Sequence, residues 1–211
     1  TGSTFSTNDF PLVTPFQGLY IGGEEAFAAK LTPNCQVVWS TFIAASQNET
    51  GSAIAVDAAG AVYVSGVTSS TNFPIHRTVQ ATYNDFTCDN DGFVCKFNAD
   101  GSRDWATYYG GWRAENPYGL VVNPAGQVIT VGRTESTDLP VTDNAYQPTA
   151  FTAGVNAFVS IFEIACPSTP IIIHSTENAF YYDQFWCNNY NSTYNNYFQS
   201  DTCTLQLIAP P

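Results

Sequence analysis

The chain has 211 residues, 44% hydrophobic and 15% aromatic, enough apolar mass to bury a core and too much for intrinsic disorder. Eighteen acidic against six basic side chains leave a net charge of −12, the wrong sign for tracking nucleic-acid phosphates or anionic membrane surfaces. No apolar run approaches the roughly 20 residues of a spanning helix, and with no Met and no charged-then-apolar leader the chain reads as a mature piece or a segment of something longer.

Taken in chain order, the sequence repeats itself. Gly2 opens GSTFSTNDFP, Gly66 opens GVTSSTNFP and Gly132 opens GRTESTDLP, the glycines 64 and 66 residues apart. The pairs Ala26-Phe27, Gly92-Phe93 and Ala157-Phe158 follow at spacings of 66 and 65. Trp39 to Phe42 (WSTF) matches Trp105 to Tyr108 (WATY), and IAVDAAGAVYVSG, ending at Gly66, matches LVVNPAGQVITVG, ending at Gly132. Independent anchors that keep one period define a repeat protein.

One period predicts four strands. Ala26 to Leu31 is the first, with its turn at Pro33-Asn34-Cys35, and Gln36 to Ala44, dense in β-branched and aromatic residues, is the second. Ser52 to Val56 is the third, and Asp57-Ala58-Ala59-Gly60 makes a type I turn into the fourth, Ala61 to Thr68. Asn98-Ala99-Asp100-Gly101 and Asn123-Pro124-Ala125-Gly126 repeat the two turns, and Pro74 and Pro140 take the following loops out of the sheet. Apolar runs at Ile54 to Val56 and Leu120 to Val122 suit sheets covered on both faces. Pro170 to Thr176 reads as a second strand of the third copy. From Asn178 the repeat signature is lost in an Asn- and Tyr-rich segment that ends in a strand at Leu205 to Ile208.

The fold class is therefore all-β: four-stranded antiparallel propeller-type blades, two complete and two partial, with an aromatic, cysteine-containing C-terminal segment. The expected divisions are 1–25 for the end of a preceding blade and its loop, 26–91 and 92–156 for two blades, 157–177 for a partial blade, and 178–211 for the last segment. AFxxKL, WSTF, IAVDAAGAVYVSG and GxTxSTxFP resemble the secreted, bacterial-type β-propeller repeat family (the seven-bladed β-propeller repeat) over about residues 2–164. The resemblance implies the fold and is nearly silent on activity. Insertions at 76–87 and 143–155, and Cys35 and Cys166 where the hairpin carries Gly101, depart from it.

The candidate sites are few. His76 and His174 lack a nucleophile motif, and the paired acids Asp89 with Asp91 and Glu24 with Glu25 read as turn solvation. No cofactor is expected; Asp89-Asn90-Asp91-Gly92 leaves Asp89 and Asp91 as a calcium candidate, short of a full ligand set. Trp39 and Trp105 recur and read as core, whereas Trp186, with Tyr190, could stack on a glycan. Asn48 and Asn191 head glycosylation sequons. Six cysteines without metal spacing suggest disulfides: Cys88 with Cys95 and Cys187 with Cys203, leaving Cys35 and Cys166 to find partners in the C-terminal segment or another subunit.

These features predict an extracellular or cell-surface, non-enzymatic structural subunit of a filament, coat or adhesive layer. Its partners would be other copies of itself or the remainder of a larger surface protein, with covalent glycans, no nucleic acid and no membrane span. A carbohydrate- or protein-binding propeller fragment of a larger surface protein is the alternative, and a lyase or hydrolase the third reading. Two blades and two fragments fall short of the four to eight that close a propeller, so the apolar terminal faces need a cover.

Overall fold

The computed structural model describes residues 1–84, 90–150, 154–165, 172–174, 179–181 and 204–208. Every element among them is a strand: β1 Gly2–Thr4, β2 Glu25–Leu31, β3 Val37–Ile43, β4 Glu49–Val56, β5 Val62–Thr68, β6 Asp91–Phe97, β7 Arg103–Tyr109, β8 Glu115–Val122, β9 Val128–Thr134, β10 Asn156–Ala165, β11 Ile172–His174, β12 Ala179–Tyr181 and β13 Thr204–Ile208. They form antiparallel sheets ordered β1-β2-β3, β4-β5-β6-β7 and β8-β9-β10-β13, with β11 and β12 a separate pair. Among the described residues no helix is long and apolar enough to cross a membrane.

Equal sequence gives equal register. Gly2 lies opposite Phe27, Gly66 opposite Phe93, and Gly132 opposite Phe158. A Cβ at Gly66 or Gly132 would come within 2.8 Å of that phenylalanine ring, so the glycine repeats because the ring lies across its backbone. Bulges also recur, between Lys30 and Leu31 and between Lys96 and Phe97.

The hydrogen-bonded sheets are half a period out of step with the expected blades 26–91 and 92–156. Sheet β4–β7 joins the last two strands of one sequence unit to the first two of the next, across the long connector after Thr68. The short loop from Ala44 to Asn48, which a blade over 26–91 would keep within one sheet, instead crosses between sheets. A second correction concerns the neighbour of β10. It is β13, with Ala165 opposite Thr204 and Ile161 opposite Ile208. The strand expected at Pro170 to Thr176 is represented by β11, which pairs with β12.

Two cores fill the spaces between sheets. Ala26, Ala28, Trp39 and Ile43 of the first sheet pack on Val64, Phe93, Cys95, Phe97 and Tyr108 of the second. Tyr63, Val94, Trp105 and Tyr109 on the other side of the second sheet meet Leu120, Val128, Phe158 and Phe162 of the third. Strand alternation thus buries both faces of β5, β6 and β7. The apolar runs read as covered on both faces are corrected: Ile54 and Val56 on β4 and Val121 on β8 are exposed, because only alternate residues of these strands face a neighbouring sheet. The connector loops add rings: Phe73 stacks on Phe93 at 4.8 Å, and in the first sheet Phe10 lies 4.9 Å from Phe27 and 5.0 Å from Phe42.

Candidate functional site

The polar chemistry that repeats lies where consecutive sheets meet, and the GxTxST motif builds it. The hydroxyl of Thr68, at the end of β5, accepts from the N–H of Ser70 at 3.0 Å, and Thr134 does the same for Ser136 at 2.9 Å. Those serines then reach the loop that crosses between sheets: Ser70 Oγ accepts from the N–H of Gln47, and Ser136 Oγ from that of Arg113, each at 2.8 Å. Asn72 Oδ1 takes the N–H of Ser46 and Asp138 Oδ1 that of Trp112. The motif is a set of side-chain acceptors that satisfies a crossing loop's backbone donors.

Beneath it lie carboxylates. Glu25, Glu49, Asp91 and Glu115 are all 0% exposed. Glu49, on β4, accepts from the Ala45 N–H at 2.8 Å and from the Thr68 hydroxyl at 2.7 Å; Glu115, on β8, accepts from the Gly111 N–H at 2.9 Å and the Thr134 hydroxyl at 2.5 Å. Glu25, on β2, takes the N–H groups of Ile21 at 2.9 Å and Gly22 at 2.7 Å on Oε1, while its buried Oε2 accepts no hydrogen bond. Asp91, on β6, accepts from the Asn84 N–H at 2.9 Å. The acids pair across the sheet junctions. Glu25 lies against Glu49 and the Ala45 N–H that Glu49 also uses. A methyl on Gly110 would sit 2.6 Å from Asp91 Oδ1 and 2.6 Å from Glu115 Oε2, so those two carboxylates meet over that glycine. Loss of water raises the pKa of Glu25, Glu49 and Glu115 above the usual carboxylate range, and the neighbouring Glu49 charge raises Glu25 further.

The pairing differs from the sequence expectation. Glu24 and Glu25 are chain neighbours at the start of β2 with different surroundings: Glu24, just before the strand, is half-buried and accepts from Ser3 Oγ, and only Glu25 is fully buried. Asp91 is likewise buried and no turn-solvating acid; its partner Asp89 lies outside the described residues. Glu49 and Glu115 were missed altogether. The available signal was arithmetic, since Glu25 to Asp91 and Glu49 to Glu115 are each 66 residues apart, the period of the repeat.

The remaining candidates are dispersed. Trp39 and Trp105 are buried core residues, as expected, and the Trp39 indole donates to the Ala99 carbonyl at 3.1 Å. Asn48 is exposed, its Oδ1 accepting from the Glu24 N–H at 2.9 Å. His76 exchanges backbone hydrogen bonds with Ala106, and His174 lies on β11. The pairing of Cys88 with Cys95 is corrected: Cys95 is a free thiol, 1% exposed, facing the apolar core between the first two sheets, and burial pushes its pKa upward. Cys35 is a free, exposed thiol in its turn at a φ of 60°, where Gly101 of the next copy has 90°. Cys88, Cys166, Cys187, Cys203, Trp186, Tyr190 and Asn191 lie outside the described residues. Among the described residues no group of three or more His, Cys, Asp and Glu side chains could hold a metal ion.

Residues 38–74 match the family described as Beta-propeller repeat. The chain carries a β-propeller repeat. The matched stretch runs from β3 through β5 to Pro74, so it holds Glu49, Thr68, Ser70, Asn72 and Phe73, the residues that tie one sheet to the next. Glu, Thr and Ser recur at Glu115, Thr134 and Ser136, and Asp138 takes the acceptor role of Asn72, which extends the β-propeller repeat architecture to the third sheet. No curated protein matches the chain.

Proposed function

We propose that the chain is a non-enzymatic building block of an extracellular or cell-surface assembly, which adds propeller-type sheets to a stack. The observation that carries this reading is the outer face of the third sheet. Val159 is 63% exposed and Val131 42%, whereas Val94, the residue in Val159's place one period earlier, is 0% exposed and sits beneath the third sheet. Val121, 56% exposed, extends the strip onto β8. A face that the repeat covers once is apolar enough to be covered again. At the other end Phe10, Tyr20 and Phe27 are only half-buried, although Phe73 and Phe93, in the places of Phe10 and Phe27, are buried beneath the preceding sheet. The two open faces are thus of the two kinds that already pack together inside the chain, which favours head-to-tail addition of further sheets, from other copies or from the rest of a larger surface protein.

The acid surface and glycans at Asn48 and Asn191 would keep the outside of such an assembly soluble. The mass of native material, by ultracentrifugation and electron microscopy, tests the reading. Particles larger than one chain that dissociate when Val131 and Val159 are both changed to Asp support it. A monodisperse single chain, unaltered by those substitutions, overturns it.

A further inference from the structure

We propose that each junction between consecutive sheets is an acid pair that holds one proton, Glu25 with Glu49 and Asp91 with Glu115, so that the stack tightens in acid and loosens as the pH rises. Both pairs have one partner on each of two adjacent sheets, β2 with β4 and β6 with β8, and all four side chains are buried. Two neighbouring buried carboxylates cannot both ionise cheaply; one proton between them removes the repulsion and supplies a donor. Glu25 Oε2 shows where such a donor is wanted, being a buried oxygen that accepts nothing.

The surroundings offer backbone donors but no counter-charge for Glu25, Glu49 and Glu115. Facing the first pair are the N–H groups of Ile21, Gly22 and Ala45, the Thr68 hydroxyl and the Tyr108 ring of β7, with Glu24 next in the chain. Facing the second are the Gly111 N–H, the Thr134 hydroxyl, Tyr108, Tyr109 and Asp138, the last a further negative charge. Five of the six cations are engaged elsewhere: Lys30 with the Gly60 and Ala99 carbonyls, Arg77 and Lys96 with Asp104, Arg103 with the Pro74 carbonyl, and Arg133 with Glu135. The sixth, Arg113, is exposed on the crossing loop two residues before Glu115.

The direction of the pH effect follows from linkage. Glu25, Glu49 and Glu115 have folded-state pKa values raised above those of the unfolded chain. The stabilisation is therefore complete below the unfolded glutamate pKa of about 4.3 and is lost as the pH climbs through the folded values. Acids paired with a cation, whose folded-state pKa is lowered, work in the opposite sense. On the third sheet the place of Glu25 and Asp91 is taken by Asn156, so the next junction along the stack lacks this proton site.

The experiment is urea unfolding of the full chain between pH 4 and 8, for the wild type and for Glu49→Gln, Glu115→Gln, their double variant and Asp143→Asn. Asp143 is exposed, and its substitution removes one unit of charge, as each single glutamine variant does. The wild-type midpoint falls across this range. The glutamine amide replaces the missing proton, so the double variant has the higher midpoint at pH 8 and a flattened profile, while Asp143→Asn keeps the wild-type slope. A double variant whose slope equals that of Asp143→Asn overturns the proposal. Should the glutamine variants fail to fold, infrared spectroscopy of the wild type decides: a protonated-carboxyl band persisting at pH 6 supports it, and its absence overturns it. Neither readout depends on assembly, so failure here leaves the proposed function standing.

Discussion

The middle sheet, β4–β7, and the last sheet, β8-β9-β10-β13, are written in nearly the same sequence and live in different surroundings. Val94 and Val159 occupy one position of that pattern, yet one is 0% and the other 63% exposed. Nothing local distinguishes them: each lies on the strand opposite the motif glycine, one residue after the phenylalanine that packs on it. The difference is a neighbour. In a protein that stacks repeats, burial at a position is set by the sheet that follows, and the sequence of a single sheet states only which faces are fit to be covered.

The comparison predicts unequal costs for similar changes. Trp105→Ala empties a site shared by the middle and last sheets and should cost about 3–5 kcal/mol in chemical denaturation, whereas Val159→Ala in the dispersed chain should cost less than about 1 kcal/mol. A large penalty at Val159 would mean that this face is covered within one chain. Next in size are the junction threonines. Thr68→Val or Thr134→Val withdraws a hydroxyl donor from a buried glutamate and an acceptor from a serine N–H, at a cost of about 1–3 kcal/mol measured the same way. Equal penalties at the two positions would show the two junctions to be energetic copies; a null effect at either would break the equivalence. Gly110→Ala should be destabilising by about 1–3 kcal/mol, because a methyl there drives into both carboxylates of the second pair. The smallest effect lies in the first sheet. Cys35 holds a left-handed turn conformation that its counterpart Gly101 adopts freely, so Cys35→Gly should raise stability by a few tenths to about 1 kcal/mol, read as a higher unfolding midpoint.

The repeat, the strands and the turn types were legible in the residues because each is a local matter. Glycine opposite phenylalanine, tryptophan four positions into the second strand, and Asp or Asn opening a turn that ends in glycine all recur at the period. The phase of the sheets was not, because hydrogen-bonded neighbours are chosen by sheet closure and not by loop length. The connector after Thr68 is long and stays within a sheet, while Ala44 to Asn48 is short and leaves one. The acid pairs escaped for a related reason. Glu24 and Glu25 are adjacent in sequence and point to different environments, whereas the real partners Glu25 and Glu49 are 24 residues apart on different sheets. Parity arithmetic on six cysteines likewise puts Cys95 in a disulfide, although Cys95 and its counterpart Ser160 are both buried against a neighbouring sheet.

The measurement that bears most directly on the stacked-sheet account is thiol labelling, with peptide mapping, of Val159→Cys in native assembled material and again after dilution to single chains. The account predicts protection in the assembly and rapid labelling once the chains are dispersed. Labelling at the same fast rate in both would contradict it, leaving the valine face of the third sheet with nothing to cover.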